Sequence, residues 1–327
     1  MPPGLGGPVE VALARATDVL PDTAALPGGA TYMLKFDGFR LVITHGGRGV
    51  RLWSRRGNDL TDTFPEIEDA AHTQLPPGSV VDGELCAWNG SRLDFDLLTQ
   101  RLGAGRARIA AMSRTSPASF VAFDILAADG IDLRRRPWRI RQAVLERLAP
   151  WHPPLQLCPS TTDAEQARDW MTRYAPAGIE GLVVKGLDSL YRGGSRDDWS
   201  KIRTRQTQDV VAGAVVGPLH QPAAVIVGRY RDGRLVMVGR TGTLTAAQAR
   251  QLADRLEPAD DTHPWPHHIA ANRFGGRGRV AITPVAPTVV IEVDADVALT
   301  AGTWRHSLRH HRIRPDLEPQ DLPPAPG

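Results

Sequence analysis

Only three lysines, Lys35, Lys185 and Lys201, stand among 36 arginines in this sequence. A guanidinium stays protonated and planar, whereas an amine can lose its proton and attack an electrophile, or serve as a compact point charge. In a chain that uses arginine wherever a positive charge will do, the surroundings of the lysines show what they are kept for. Lys35 lies in Lys35-Phe36-Asp37-Gly38-Phe39-Arg40. There an amine nucleophile has a glycine that permits close backbone approach and an arginine placed to grip an anion. Glu180-Gly181-Leu182-Val183-Val184-Lys185 sets a carboxylate five residues before a lysine across an apolar strand. A metal and a phosphate can then be met from neighbouring points of one pocket. Trp199-Ser200-Lys201-Ile202-Arg203 puts two cations at i and i+2, hence on one strand face, where they suit an α-phosphate. Asp82-Gly83-Glu84 adds two acids at a strand end, and Phe123-Asp124 an aromatic plane beside another. Together these groups describe a site for a metal-bound nucleoside triphosphate.

Positioning them takes a sizeable fold, and 327 residues suffice for two domains, each with its own core. Apolar residues make up 42% and charged ones 23%, with a net charge of +3, a balance that excludes wholesale disorder. No apolar run approaches the ~18–20 residues of a membrane span, and the start lacks a basic segment followed by an apolar core. A cytoplasmic protein with no membrane attachment is expected. Two cysteines, Cys86 and Cys158, are too few for a disulfide framework or a thiolate zinc site.

Residues 1–30 are rich in Pro, Gly and Ala, with a short helix expected at Val11–Leu20. From Thr31 the pattern is strand-like through His45, and a glycine turn at Gly46–Gly49 leads into a second strand, an antiparallel hairpin. Further strands are expected at 79–88, 120–126 and 181–186. Helices are expected at Asp94–Leu102, Arg139–Leu148 and Asp163–Tyr174, the last capped by Thr161 or Thr162. Strands separated by helices make the first ~205 residues a mixed α and β domain. After Arg205 come three short strands, the second and third joined by an Asp232-Gly233 hairpin, then a helix at 245–256 and a strand at 288–297. That set suits a small barrel such as an OB-fold. The tail from Pro315 is proline-rich and expected to fray. Basic and acidic residues number 26 and 24 before residue 206 and 13 and 12 after it, so neither half is a polycation. Two arginine clusters remain candidates for phosphate contacts: Arg134–Arg136 with Arg139 and Arg141, and Arg305, Arg309, Arg312 and Arg314 among His306, His310 and His311. Those histidines lack acidic or cysteine partners at metal-ligand spacing, so a phosphate-facing role is preferred to zinc. Trp53, Trp88 and Trp151 are read as packing residues.

In this order the segments resemble the motifs of the covalent nucleotidyltransferase superfamily, and within it the ATP-dependent DNA ligases, nearest to bacterial ligase C and the ligase domain of bacterial ligase D. Lys35–Arg40 resembles motif I, Ser54-Arg55-Arg56-Gly57 motif Ia, Asp82–Glu84 motif III, Phe123-Asp124 motif IIIa, Glu180–Lys185 motif IV and Lys201–Arg203 motif V. All three lysines fall on motif positions. The resemblance implies an α+β, two-domain chain. A mixed α/β adenylation domain with antiparallel sheets covers residues 1–205, and an all-β OB-fold barrel covers residues 206–327. It implies Lys35 as the adenylated catalytic residue, and Arg40, Arg55, Glu84, Phe123, Lys185, Lys201 and Arg203 as ATP-binding. Asp37, Glu84 and Glu180 are the carboxylates implied near metal, with ribose contact equally open for Glu84. ATP and magnesium (or manganese) are the implied cofactors.

The implied reaction has three steps. Lys35 attacks the α-phosphate of ATP, the AMP passes to the 5′-phosphate at a nick with Arg55 holding that phosphate, and the 3′-hydroxyl then displaces AMP. The OB domain is implied to alternate, with Arg305, Arg312 and Arg314 meeting pyrophosphate and then DNA. Nicked double-stranded DNA is the implied partner of a monomeric bacterial enzyme at the nucleoid, in DNA repair, with a repair polymerase or primase-like protein beside it. Two positions depart from the pattern. Met33 stands where many relatives carry a glutamate that reads the adenine. Arg312-Ile313-Arg314-Pro315-Asp316-Leu317 lacks the lysine that ends motif VI, so a neighbouring arginine must engage the leaving pyrophosphate. An RNA ligase or, further off, a capping-type guanylyltransferase is the rival within the superfamily. A catalytically dead DNA-binding module is the rival outside it, and the intact lysine set argues against that.

Overall fold

The strand-like run from Thr31 to His45 is split. At residues 35–38 the chain leaves one sheet and enters another. The computed structural model describes residues 1–325 except 48, 204, 271–277, 297–298 and 301. It divides into two units, Met1–Thr204 and Arg205–Gly327. Arg48 in the expected glycine turn, Val297 at the end of the expected strand and the last two residues of the tail lie outside the described residues.

In the first unit β1 (Ala30–Leu34) and β2 (Phe39–Gly46) flank the split, and β3 (Gly49–Ser54) returns beside β2. There follow α1 (Pro65–Gln74), β4 (Ser79–Asn89), α2 (Phe95–Thr99), α3 (Arg106–Thr115), β5 (Ala118–Ala128), α4 (Trp138–Leu148), α5 (Ala164–Arg173), β6 (Gly181–Gly186) and β7 (Trp199–Arg203). The larger sheet runs β3-β2-β4-β5 in antiparallel register. The smaller one runs β7-β6-β1, with Arg15–Ala16 added beyond β7 and Ser160–Thr161 beyond β1. One face of the larger sheet (Leu41, Ile43, Val81, Leu85, Phe120, Ile125) packs on Ile67 and Ala71 of α1 and Leu145 of α4. A second core joins the sheets, with Tyr32, Leu34, Leu182, Val184 and Ile202 meeting Cys86, Val121 and Trp138. Each such fully buried side chain contributes about 1.5–3 kcal/mol of transfer free energy. Both free cysteines lie in this core as small apolar groups.

Several expectations need correction. Val11–Leu20 is not a helix: Val9, Val11 and Ala12 bury against Val80, Leu126 and Trp199, and Arg15–Ala16 pairs parallel with Ser200–Lys201. Burying closely spaced apolar residues in extended form outweighs a weak helical pattern. Asp163, not Thr161 or Thr162, caps α5, accepting bonds from the Glu165 and Gln166 amides. The tail does not simply fray: Pro319 and Ala325 are buried, and the Ala325 amide donates to the Tyr230 carbonyl at 2.9 Å.

The second unit contains β8 (Arg205–Val216), β9 (Ala224–Arg231), β10 (Arg234–Arg240), α6 (Ala246–Ala253), β11 (Arg279–Pro284), β12 (Val290–Asp296) and β13 (Arg309–Ile313). The β9–β10 hairpin turns at Asp232 and Gly233, both with positive φ (51° and 73°). The long β8 pairs with β9 and β11 in its second half and with β12 chiefly in its first, β12 pairs with β13, and a Thr241–Leu308 bridge carries the sheet back to the end of β10. The sheet thereby closes as a barrel around Val210, Val215, Val225, Val238, Ile291 and Val293, an all-β OB-type unit. Among the described residues no helix is long and apolar enough to cross a membrane.

Candidate active site

Lys35 follows β1 directly and is stitched to the start of β6. Its amide donates to the Gly181 carbonyl at 2.8 Å, and the Glu180 amide donates to the Lys35 carbonyl at 2.9 Å. The loop lies hard against β4 because residue 38 is glycine; a Cβ there would overlap the Leu85 carbonyl. The Lys35 ammonium contacts the buried Glu180 carboxylate, and Arg203 Nε lies 4.0 Å from the same oxygen. Lys201 is opposite Val183, which is itself opposite Met33, so the three lie in register across the smaller sheet. Burial lowers the proton affinity of Lys201, and Lys35 and Arg203 add to the effect.

A cavity of about 700 Å³ opens beside these residues, within the range of a nucleotide pocket. Lys35, Arg40, Arg55, Glu84, Phe123, Lys185 and Lys201 all line it, with Met33, Val183 and Trp199. Arg40 forms two bonds of 2.5 Å to Asp82 and one of 3.2 Å to the Ala12 carbonyl, and its guanidinium lies 4.5 Å over the Phe123 ring. Burial works against that charge and Asp82 outweighs it. Asp82 also accepts the Tyr191 hydroxyl at 2.6 Å. Burial pushes Glu84 up to about 7, although Arg40 and Lys35 pull the other way. Lys185 is pushed down to about 8 by burial, which Asp124 only partly offsets. Burial would raise Asp124, but Arg141 and Lys185 hold it at about 2.

Motifs I, Ia, III, IIIa, IV and V therefore meet at one pocket, although they are spread along the chain from Lys35 to Arg203. Asp37 and Glu180 sit buried beneath the lining rather than in it. Arg55 stands exposed at the rim. In the second unit Arg312 bonds Glu292 at 2.7 Å and stays 61% exposed, whereas Arg314 is held by Asp209 and Asp316 and is 18% exposed. Arg305 is half-buried in the same unit. His310 is buried inside the barrel wall, not phosphate-facing. The Arg134–Arg141 cluster also needs correction: Arg141 is fully buried on Asp124, Arg134 pairs with Asp132 and Arg139 with Asp188. Trp53 and Trp151 spend their indole N–H groups on Thr44 and the Leu145 carbonyl, as packing residues do. Sequence reasoning gives no role to Trp199 or Tyr191, and it sets Arg141 among candidate phosphate contacts rather than behind the site. For Trp199 a signal exists, since it lies two residues before Lys201 on the same strand face; the other two meet the site only through the fold.

A lysine at the seam of two sheets, beside a pocket lined by cations and the Glu84 carboxylate, fits an enzyme that carries a nucleotide on lysine. Residues 12–203 match the ATP dependent DNA ligase domain, and residues 220–317 the ATP dependent DNA ligase C terminal region. DNA ligase C2 of Mycolicibacterium smegmatis is 35% identical over 90% of this chain and 88% of its own length. DNA ligase C of Mycobacterium tuberculosis is 32% identical over the same shares. A solved Lig E DNA ligase shares the fold, with a TM-score of 0.53 at 17% identity over 93% of this chain and 98% of that one. The chain belongs to the ATP-dependent DNA ligase family. It is an ATP-dependent DNA ligase, working through the lysine–AMP intermediate general to that family.

Proposed function

We propose that Lys35 Nζ attacks the α-phosphorus of ATP in line, so that a P–N bond forms as the P–O bond to pyrophosphate breaks. The attacking amine must be neutral, and Glu180, in contact with it, is within reach of the departing proton. Lys185, Lys201 and Arg203 neutralise phosphate charge, Arg40 and Phe123 frame the base and sugar, and Arg55 at the rim receives the 5′-phosphate of the nick. Arg305, Arg312 and Arg314 take pyrophosphate and DNA phosphates. Among the described residues no three His, Cys, Asp or Glu side chains gather closely enough to hold a metal alone. Magnesium (or manganese) keeps waters and binds through one or two carboxylates with substrate phosphates, so it needs no such cluster. Asp37, Glu84 and Glu180 are the carboxylates assigned near it, one or two of them binding directly, and Glu84 equally to the ribose. A bound ion would draw charge off the triphosphate. We assign residues 1–205 to adenylation and residues 206–327 to the OB-fold role.

The observation that carries these assignments is the convergence of all three lysines around one cavity, in a chain that otherwise uses arginine. Intact mass after incubation with ATP and magnesium tests them. One AMP should be added to the wild type and none to Lys35→Arg, since a guanidinium supplies no neutral nucleophile. An AMP adduct on the variant would refute the assignment. We also infer a cytoplasmic monomer working in DNA repair at the nucleoid beside a polymerase or primase-like protein. Support for the repair role comes from the multifunctional non-homologous end joining protein LigD of Pseudomonas aeruginosa, 32% identical over 73% of this chain and 29% of its own length. Ligation of nicked duplexes carrying DNA or RNA strands, with and without such a protein, checks substrate and partner together.

A further inference from the structure

Lys185 lines the cavity yet is only 1% exposed, and its surroundings are unlike those of Lys35 and Lys201. An ammonium has three N–H donors, and three partners surround this one. Nζ lies 2.8 Å from the Phe123 carbonyl, 3.1 Å from Asp124 Oδ2 and 3.9 Å from the centre of the Trp199 ring. The Phe123 and Trp138 rings stand at 5.0 and 5.9 Å. Behind Asp124 lies Arg141 of α4, fully buried. It donates from Nε and Nη2 to the two Asp124 oxygens at 2.7 and 3.0 Å, and from Nη1 to the Arg136 and Ser189 carbonyls at 2.7 and 2.9 Å. Arg141 thus ties Asp124 to two loops at once. The other charged or titratable groups around Lys185 are Asp82 on β4, Arg40 on β2, which shares the Phe123 and Trp199 rings at 4.5 and 5.4 Å, and the Cys158 thiol.

Burying an ammonium is costly unless partners replace its water. Asp124 supplies the charge, but it is shared with Arg141, so a single carboxylate serves two cations. A cation over an indole face is held by the ring quadrupole, most strongly where water is absent. Resting on the reading that Lys185 neutralises phosphate, we propose that Trp199 and Arg141 are positioning residues for the ligase reaction. Trp199 supplies a π face that keeps the buried Lys185 ammonium charged at the cavity wall. Arg141 restrains Asp124 so that the ammonium is not drawn away from the cavity. The two act in opposite senses. Without the indole, Lys185 loses its proton more readily; without Arg141, Asp124 belongs to Lys185 alone and holds the proton more tightly.

The test is single-turnover self-adenylation, read as kcat/KM for ATP from about pH 6 to about pH 9, which reports groups of the free enzyme. Trp199→Leu should move the alkaline limb down by about one pH unit, and Trp199→Phe, which keeps a π face, should restore most of it. Arg141→Gln should move the limb up. If that variant fails to fold, the Trp199 pair decides alone. On a Lys185→Ala background Trp199→Leu should change the rate less than about twofold, because its effect runs through the lysine. A folded Trp199→Leu enzyme whose rate falls with its limb unmoved overturns the inference and leaves Trp199 as core packing. Wild-type adenylation by Lys185→Ala would instead overturn the reading of Lys185 on which it rests.

Discussion

Replacing Gly38 by alanine tests whether the close approach of the Lys35 loop to β4 sets the nucleophile's position. An added Cβ would overlap the Leu85 carbonyl oxygen, 3.0 Å from its carbon, with Glu84 Cγ at 3.1 Å. A Cβ essentially never comes within 3.0 Å of another heavy atom, so relief requires the loop to lift by about 1 Å. The Leu85 backbone cannot yield instead, because it pairs with Phe39 on one side and Phe120 on the other. The displaced loop carries Lys35 and Asp37. A misplacement of that size costs on the order of 100-fold in rate, and the overpacking about 1–3 kcal/mol in stability. Quenched time courses of adenylate formation by intact mass measure the first, and thermal unfolding the second. Sealing of a pre-adenylated nick, which needs no attack by Lys35, should suffer less. A folded Gly38→Ala protein that adenylates within about twofold of wild type would show that the contact positions nothing.

Three further outcomes follow from the charges. Glu84, raised to about 7 by burial, holds stability that is full below the unfolded carboxylate pKa and is lost as pH rises through 7. Glu84→Gln should therefore raise the unfolding free energy by about 1–3 kcal/mol at pH 8 and hardly at pH 4.5, as read by urea titration. Arg312→Ala should slow adenylation on the order of tenfold to a hundredfold with little change in melting, while Arg314→Ala should both slow adenylation and lower the melting temperature of the second unit. Equal melting effects of the two would refute that distinction. His310 is 5% exposed, neither ring nitrogen has a hydrogen-bond partner among the described residues, and burial, with His311, lowers its proton affinity. Below about pH 6.5 the unfolded chain takes up a proton that the folded one resists, so stability should fall with pH and His310→Phe should flatten that slope in melting experiments.

Local chemistry makes the site legible and long-range packing hides the rest. Lys35, Glu180, Lys185 and Lys201 announce themselves by type and spacing, because strand neighbours at i and i+2 share a face whatever the fold. The split at residues 35–38 is invisible in the sequence, since Phe36 and Phe39 continue an apolar pattern on either side while the chain changes sheets. Arg141 reads as one of a cluster of candidate phosphate contacts until Asp124, from β5, is packed beneath it. The segment at 11–20 carries helix-compatible residues, and only its distant partner β7 makes it extended. Helices α1 and α3 escape a reading by periodicity because each buries few residues, Ile67 and Ala71 in one and Ile109 in the other.

The parallel pairing of Arg15–Ala16 with Ser200–Lys201 has a consequence for synthesis. The first strand to leave the ribosome waits for one of the last of its unit. At about 5–20 residues per second, the intervening stretch takes roughly 10 to 40 s to translate. Throughout that interval Val9, Val11 and Ala12, which end up buried, have no β7 to cover them. Closing so long a loop adds little to the equilibrium cost but delays the nucleus that depends on it. Lys201 and the Ala12 carbonyl that anchors Arg40 come together only then, so on the roles proposed for Lys201 and Arg40 a nascent chain should not charge itself with AMP before that point. On that reading the adenylate would mark a first unit whose early and late segments have met.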